Sequence, residues 1–118
     1  MDYVITEETT FTPDVDGNLQ EADPVTVRLR YATPAVRQSA FATRMEQRGG
    51  DSVVVVEIDA RALLMAVIVD IHNLKANGRE IKTARGLVNT PGMDPWVTAI
   101  TDHAISMNPI EDANELKN

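Results

Sequence analysis

Residues 25 to 34 read VTVRLRYATP and predict a strand that leads directly into a helix. In the first part, apolar side chains alternate with polar ones, which is the period-two pattern of a strand with one buried face. Thr33 is placed to accept a backbone N–H as an N-cap, and Pro34 follows at the first helical position, where a missing N–H costs nothing. The helix is expected to cover residues 34–48 and to end before a Gly-Gly pair.

Three further segments carry strong secondary-structure signals. Four consecutive valines within residues 51–59 favour a strand. The aspartate at its end can cap a helix over 60–72, whose apolar residues cover two faces. Asn77-Gly78 indicates a tight turn, and an Asp-Pro pair begins a helix over 95–107. These signals predict an α+β fold.

In this predicted fold, a small sheet or hairpin formed by Val25–Tyr31 and Val53–Ile58 packs with three main helices. The charge divides the chain differently from the secondary structure. The first 24 residues hold seven acidic and no basic side chains, so they carry the whole net charge of −7. We therefore predict an extended acidic arm over 1–24 and a single α+β domain over 25–118. The arm either only adds solubility or folds back on the domain.

The composition excludes several classes of protein. A chain of 118 residues is long enough to bury a core, and the absence of cysteine excludes disulfides and thiolate chemistry. The N-terminus lacks the basic start and apolar run of a secretion signal, and the longest apolar stretch, residues 62–69, is too short to span a bilayer. An acidic chain also lacks the basic surface needed for non-specific nucleic-acid binding. We expect a cytoplasmic protein with neither membrane nor nucleic-acid partners.

The sequence contains no recognisable catalytic constellation. His72 and His103 each lie near an aspartate, but on the predicted helices such close neighbours point apart, so converging metal ligands are not expected. His103 follows Trp96 and Ile100 on an apolar helix face, which favours a hydrogen-bonded core histidine. The chain has no Gly-x-Ser-x-Gly elbow, P-loop or GxGxxG motif. We predict a protein without catalytic residues, cofactor or metal.

Two surfaces are candidates for binding a partner. The second predicted helix carries an apolar stripe opposite its core stripe, and such a helix is either central in its domain or covers a partner. The members of this stripe are Ala62, Met65, Ala66 and Val69. The first predicted helix carries an arginine strip that is either solvated or docks the acidic arm or an acidic partner. Its members are Arg37, Arg44 and Arg48.

The order of these motifs resembles small proteins encoded in the tail-gene region of long-tailed bacteriophages and prophages. VTVRLRY followed by TPAVRQ is similar to the strand and helix start of that group. LLMAVIVDIHNLKANGREIKTARGLVNTPG is similar to its apolar helix and the turn that follows, and PWVTAITDHAISMNPIEDANELKN to its closing helix and polar end. Over residues 25–118 the chain resembles the tail assembly chaperones.

This resemblance implies a protein that binds the aggregation-prone tape-measure protein and keeps it soluble while tail-tube subunits assemble around it. Such proteins act in the host cytoplasm, are absent from the finished particle and commonly form homo-oligomers. The acidic arm has no counterpart in the family pattern. Two other functions stay open: a structural tail or head-completion subunit retained in the virion, and an acidic regulatory protein that mimics nucleic acid.

Overall fold

A computed structural model describes residues 1–108 of the chain, so the predicted polar end at 109–118 lies outside the described residues. Its fold class is α+β, as predicted. The elements in chain order are β1 (Glu8–Phe11), β2 (Thr26–Arg30), α1 (Pro34–Ala40), β3 (Phe41–Arg48), β4 (Asp51–Ile58), α2 (Ala60–Val67), β5 (Ile68–His72), β6 (Lys75–Ala76), β7 (Arg79–Glu80), α3 (Ala84–Val88) and α4 (Asp94–Met107).

The predicted strand at residues 25–31 is confirmed as β2, the middle strand of an antiparallel sheet in the order β1-β2-β5. Its alternation has the expected effect, because Val27 and Leu29 are fully buried while Arg28 and Arg30 are exposed. Helices α2, α3 and α4 contribute the other side of the core. The core side chains with the least exposure include Leu63, Leu64, Val67, Ile71, Leu87 and Ile100.

The predicted helix over 34–48 is wrong in its second half, because α1 ends at Ala40 and the chain continues as β3. Thr33 does cap α1, with its Oγ1 accepting the Val36 N–H at 3.2 Å. Gly49 and Gly50 have φ values of 59° and 88°, so the pair forms a turn rather than a helix end. This geometry is that of a type I′ turn, which matches the twist of a hairpin and pairs β3 with the valines of β4. The valine strand therefore lies in a separate two-stranded sheet and does not join β2.

The predicted helix over 60–72 is also too long. It begins as expected, with the Asp59 carboxylate accepting the Ala62 N–H at 3.0 Å, but α2 ends at Val67. The next five residues form β5, which pairs with β2 so that Ile71 lies opposite Val27. Residues rich in Val and Ile favour a strand wherever a neighbouring strand is available, so tertiary pairing overrides the local helical pattern.

The acidic segment is largely incorporated into the domain. β1 pairs with β2 along its length, and Val15 and Pro13 are buried. The Asn18 amide donates to the carbonyls of Pro13 and Val25 at 2.8 Å and 3.0 Å, and its oxygen accepts the Val25 N–H at 2.7 Å. β1, Pro13, Val15 and Asn18 are thus part of the sheet and core, in contrast to the predicted separate arm, while residues 1–7 are exposed.

The remaining local predictions agree with the structure. The closing helix predicted over 95–107 is α4, in which Trp96, Ile100 and Ala104 are buried. Asn77-Gly78 lies between β6 and β7 and reverses the chain in a short hairpin, with both residues at positive φ. These features depend on residues close together in the chain, which is why local signals suffice to predict them.

Candidate protein-binding surface

The hairpin formed by β3 and β4 extends away from the core. At its base Phe41 lies opposite Ile58, and both side chains pack against the core. Within residues 1–108, no other apolar side chain of the hairpin packs against the core cluster. Between the base pair Phe41–Ile58 and the last pair at the turn, Arg48–Asp51, lie six further residue pairs. At about 3.4 Å per residue, these pairs give the hairpin a length of roughly 20 Å beyond its base.

The two faces of the hairpin differ in chemistry. One face carries Met45, Val54 and Val56 together with the uncharged polar side chains of Thr43, Gln47 and Ser52, and Met45 lies opposite Val54 in the register. Both side chains are exposed, with exposed fractions of 63% for Met45 and 37% for Val54. We call this surface the apolar hairpin face. An exposed apolar surface with polar neighbours is typical of a protein-binding site.

The opposite face of the hairpin is neutralised by its own ion pairs. Arg44 Nε lies 2.6 Å from Glu57 Oε1, and Arg44 Nη1 lies 3.7 Å from Glu46 Oε1. Arg48 Nη2 lies 2.9 Å from the other oxygen of Glu46. Because these pairs are solvent-exposed, each contributes only about 0–1 kcal/mol to stability. This charged face also carries Val53 and Val55, so what distinguishes the two faces is that all charged side chains of the hairpin lie on this one.

The predicted arginine strip does not exist as a strip on one helix. Arg37 lies on α1 and is half-buried, whereas Arg44 and Arg48 lie on β3 and pair with glutamates. The helix prediction placed all three on one strip because it extended a period of 3.6 residues through a segment that is a strand. The signal that was missed is the Gly-Gly pair, which separates two β-prone runs by two residues and is typical of a hairpin.

The predicted apolar stripe is divided between two elements. Ala62, Met65 and Ala66 lie on α2, and Val69 lies on β5. Met65 has 43% of its surface exposed, whereas the other three are half-buried. The opposite side of α2 is fully buried and forms part of the core. The helix is therefore apolar on both sides, because one side faces the core and the other is partly covered. Met65 is the only large exposed side chain of the predicted stripe.

A polar cluster on the three-stranded sheet was not expected. Arg28 Nη2 lies 2.6 Å from Asp70 Oδ2, and His72 Nε2 lies 3.0 Å from Asp70 Oδ1. Arg28 Nε also lies 3.8 Å from Glu8 Oε2 on β1. Asp70 and His72 share a face because residues two apart on a strand point the same way, whereas on the predicted helix they would diverge. The cluster joins all three strands, and the described part of the chain has no group of three or more His, Cys, Asp or Glu side chains suited to a metal.

His103 lies at the boundary between α4 and β1 rather than deep in the core. Its ring stacks in parallel on Phe11, with ring centroids 3.8 Å apart. Partial burial lowers the pKa of His103 below its usual value, because the charged form is less well solvated there. The predicted core histidine is therefore a half-buried residue that joins the N-terminal strand to the closing helix.

Two broader findings complete the description. Over residues 1–108, no helix has the length and apolarity required to cross a membrane. Comparisons of the chain with protein-family models, curated proteins and solved structures find no match. A functional assignment therefore depends on the residues and surfaces of this chain.

Proposed function

We propose that this chain is a phage tail assembly chaperone-like protein that acts in the host cytoplasm, without catalysis or cofactor. It binds the tape-measure protein and supports tail assembly while tail-tube subunits polymerise. Two lines of reasoning support the proposal. The motifs over residues 25–118 resemble the tail assembly chaperones, and the apolar hairpin face offers an exposed surface suited to a protein partner.

The apolar hairpin face is the observation that carries this proposal. A chaperone for an amphipathic helical partner needs an apolar surface bordered by polar groups. Met45 provides an unbranched, polarizable side chain that adapts to different partner side chains, and Val54 lies directly opposite it. The charged face behind them keeps the hairpin soluble when no partner is bound.

The exposed fractions allow an estimate of what this surface contributes to binding. Complete burial of a Met or Val side chain stabilises a complex by about 1.5–3 kcal/mol. Met45 has 63% of its surface left to bury, so its share is about 1–2 kcal/mol. Removing that contribution should weaken binding by roughly tenfold, because about 1.4 kcal/mol corresponds to a factor of ten.

Co-expression with the tape-measure protein tests the proposal. The wild-type chain should keep that protein in the soluble fraction and co-purify with it. Met45→Gln should reduce the co-purified amount, whereas Ala42→Gln, on the charged face of the same strand, should leave it unchanged. Failure of the wild-type chain to solubilise or retain the tape-measure protein would contradict the proposal.

Two further measurements separate the alternative functions. Mass spectrometry of purified particles should not detect the chain if it acts only during assembly, and its stoichiometric presence would identify a structural tail or head-completion subunit. Competition by a polyanion should not affect binding to the tape-measure protein. Strong competition would instead favour an acidic regulatory protein that mimics nucleic acid.

A further inference from the structure

The outer edge of β3 has backbone groups available for a further strand. Within the described residues, β3 pairs as a strand only with β4. The type I′ turn makes Arg48 and Asp51 a hydrogen-bonded pair, and hydrogen-bonded pairs then alternate along an antiparallel hairpin. The N–H and C=O groups of Thr43, Met45 and Gln47 therefore point away from β4, toward the free edge.

This edge is complementary to itself. Two copies of β3 can pair antiparallel about a two-fold axis perpendicular to the sheet, with Met45 opposite Met45 of the second copy. Thr43 then lies opposite Gln47, and all three residues direct their backbone groups into the new ladder. Side chains on each face keep their chemistry, because the operation pairs residues that point to the same side of the sheet.

The charges on β3 and the position of its turn together favour this register. With Met45 at the centre, Arg44 lies opposite Glu46 of the second copy, and the same pair recurs on the other side of the axis. A register centred on Arg44 or on Glu46 places like charges opposite each other, which is unfavourable. A register centred on Gln47 runs into the turn of the second copy. Self-pairing of the β4 edge near its midpoint brings Asp51 opposite Glu57, which are both acidic.

We propose that the chain forms a homodimer through antiparallel pairing of β3 with β3 of a second copy, centred on Met45. The result is a four-stranded sheet in the order β4-β3-β3-β4. An isolated two-stranded hairpin is only marginally stable in water, so the extra strands stabilise the part that extends beyond the core. The contact is isologous and closes at two copies.

The existing ion pairs of the hairpin are compatible with this arrangement. Arg44 contacts Glu57 through Nε, and a guanidinium has five N–H donors, so it can also donate to Glu46 of the second copy. The dimer juxtaposes the two apolar hairpin faces, so two copies each of Met45 and Val54 form one larger apolar surface. The dimer uses the edge of the hairpin and the proposed chaperone function uses its face, so either can fail without the other.

Charge reversal combined with mixing tests this interface. Sedimentation equilibrium of the full chain should show a monomer–dimer equilibrium. In a homodimer of the Arg44→Glu variant, position 44 of each copy is acidic and lies opposite Glu46 of the other copy. In a homodimer of the Glu46→Arg variant, position 46 of each copy is basic and lies opposite Arg44 of the other copy. Each variant should therefore dimerise at least about tenfold more weakly than the wild-type chain. An equimolar mixture of the two variants restores opposite charges at both positions and should form a heterodimer with near wild-type affinity.

A proline pair identifies the edge. Met45→Pro removes an N–H that faces the free edge of β3, so it should abolish the dimer and keep the hairpin, since proline is tolerated at such positions. Val54→Pro makes the equivalent change on the opposite edge, directly across the hairpin, and should leave the dimer intact. Circular dichroism should show both variants folded.

Three results would overturn the proposal. The first is a wild-type chain that stays monomeric at several hundred micromolar, which is of the order of the concentration at which weak contacts form. The second is a mixture of the two charge variants that dimerises no better than either variant alone. The third is an equal loss of the dimer with Met45→Pro and with Val54→Pro. Retention of the tape-measure protein by a monomeric chain would reject the dimer while leaving the chaperone function in place.

Discussion

Asn18 holds the segment between β1 and β2 against the sheet, so replacing it should destabilise the whole domain. Its side chain is 4% exposed and makes three hydrogen bonds to the backbone of Pro13 and Val25. Asn18→Ala removes all three hydrogen bonds, so the Val25 N–H and the C=O groups of Pro13 and Val25 lose their side-chain partner. An unsatisfied buried polar group costs about 1–3 kcal/mol, and partial access of water to the smaller side chain reduces the total.

We therefore expect Asn18→Ala to lower the free energy of unfolding by about 3–5 kcal/mol. That is a large part of the 5–15 kcal/mol typical of a domain, so the urea midpoint should fall sharply. Gln20→Ala is the matched control, because Gln20 is exposed in the same turn and should change stability by less than about 0.5 kcal/mol. Urea unfolding followed by circular dichroism measures both variants.

Limited proteolysis of Asn18→Ala provides a second measurement. If the three hydrogen bonds hold this segment, cleavage between β1 and β2 should become faster than in the wild-type chain and in Gln20→Ala. Equal urea midpoints for Asn18→Ala and Gln20→Ala would refute the reasoning. They would mean that burial of Pro13 and Val15 alone fixes the segment.

Two further variants test the core and the contact between β1 and α4. Ile100→Asp should leave the domain unfolded by circular dichroism, because it places an unpaired charge at a fully buried position at a cost of several kcal/mol. The control Thr98→Asp, on the exposed side of α4, should fold. A folded Ile100→Asp variant would show that this position is not part of the core. The pKa of His103 is lower in the folded chain than its usual value, so the unfolded state binds the proton more readily. This residue's contribution to stability is therefore fully present above the unfolded pKa and is lost as the pH falls from that value through the lower folded pKa. His103→Gln should therefore show a smaller loss of stability than the wild-type chain between pH 7.5 and 5.5 in thermal melts, and parallel pH profiles would contradict this assignment.

Much of the fold could be predicted from local sequence. The alternation in β2, the caps at Thr33 and Asp59 and the Asp-Pro start of α4 each depend on residues a few positions apart. The chemistry of these signals acts within one turn of helix or one strand, so it does not require knowledge of the rest of the chain. The α+β class follows from them.

For the hairpin that carries both proposals, local sequence contains signals for a helix and for a strand, and pairing with β4 decided between them. Phe41, Ala42 and Met45 fit one face of a helix by their spacing, and the same residues also fit a strand. The valines of β4 strongly favour a strand, and the two glycines at positive φ form a turn that brings residues 41–48 alongside them, so these residues pair as a strand. As a consequence Arg44 faces Glu57 rather than Arg37.

The positions of β5 and β1 were likewise decided by a distant partner. The apolar run after Val67 is compatible with either a helix or a strand, and pairing with β2 makes it a strand, which also brings Asp70 and His72 to one face. The amino-acid sequence determined that the first 24 residues are acidic. Only the tertiary structure determined that this acidic segment supplies an edge strand and a buried asparagine, because charge counts contain no information on which backbone groups will meet.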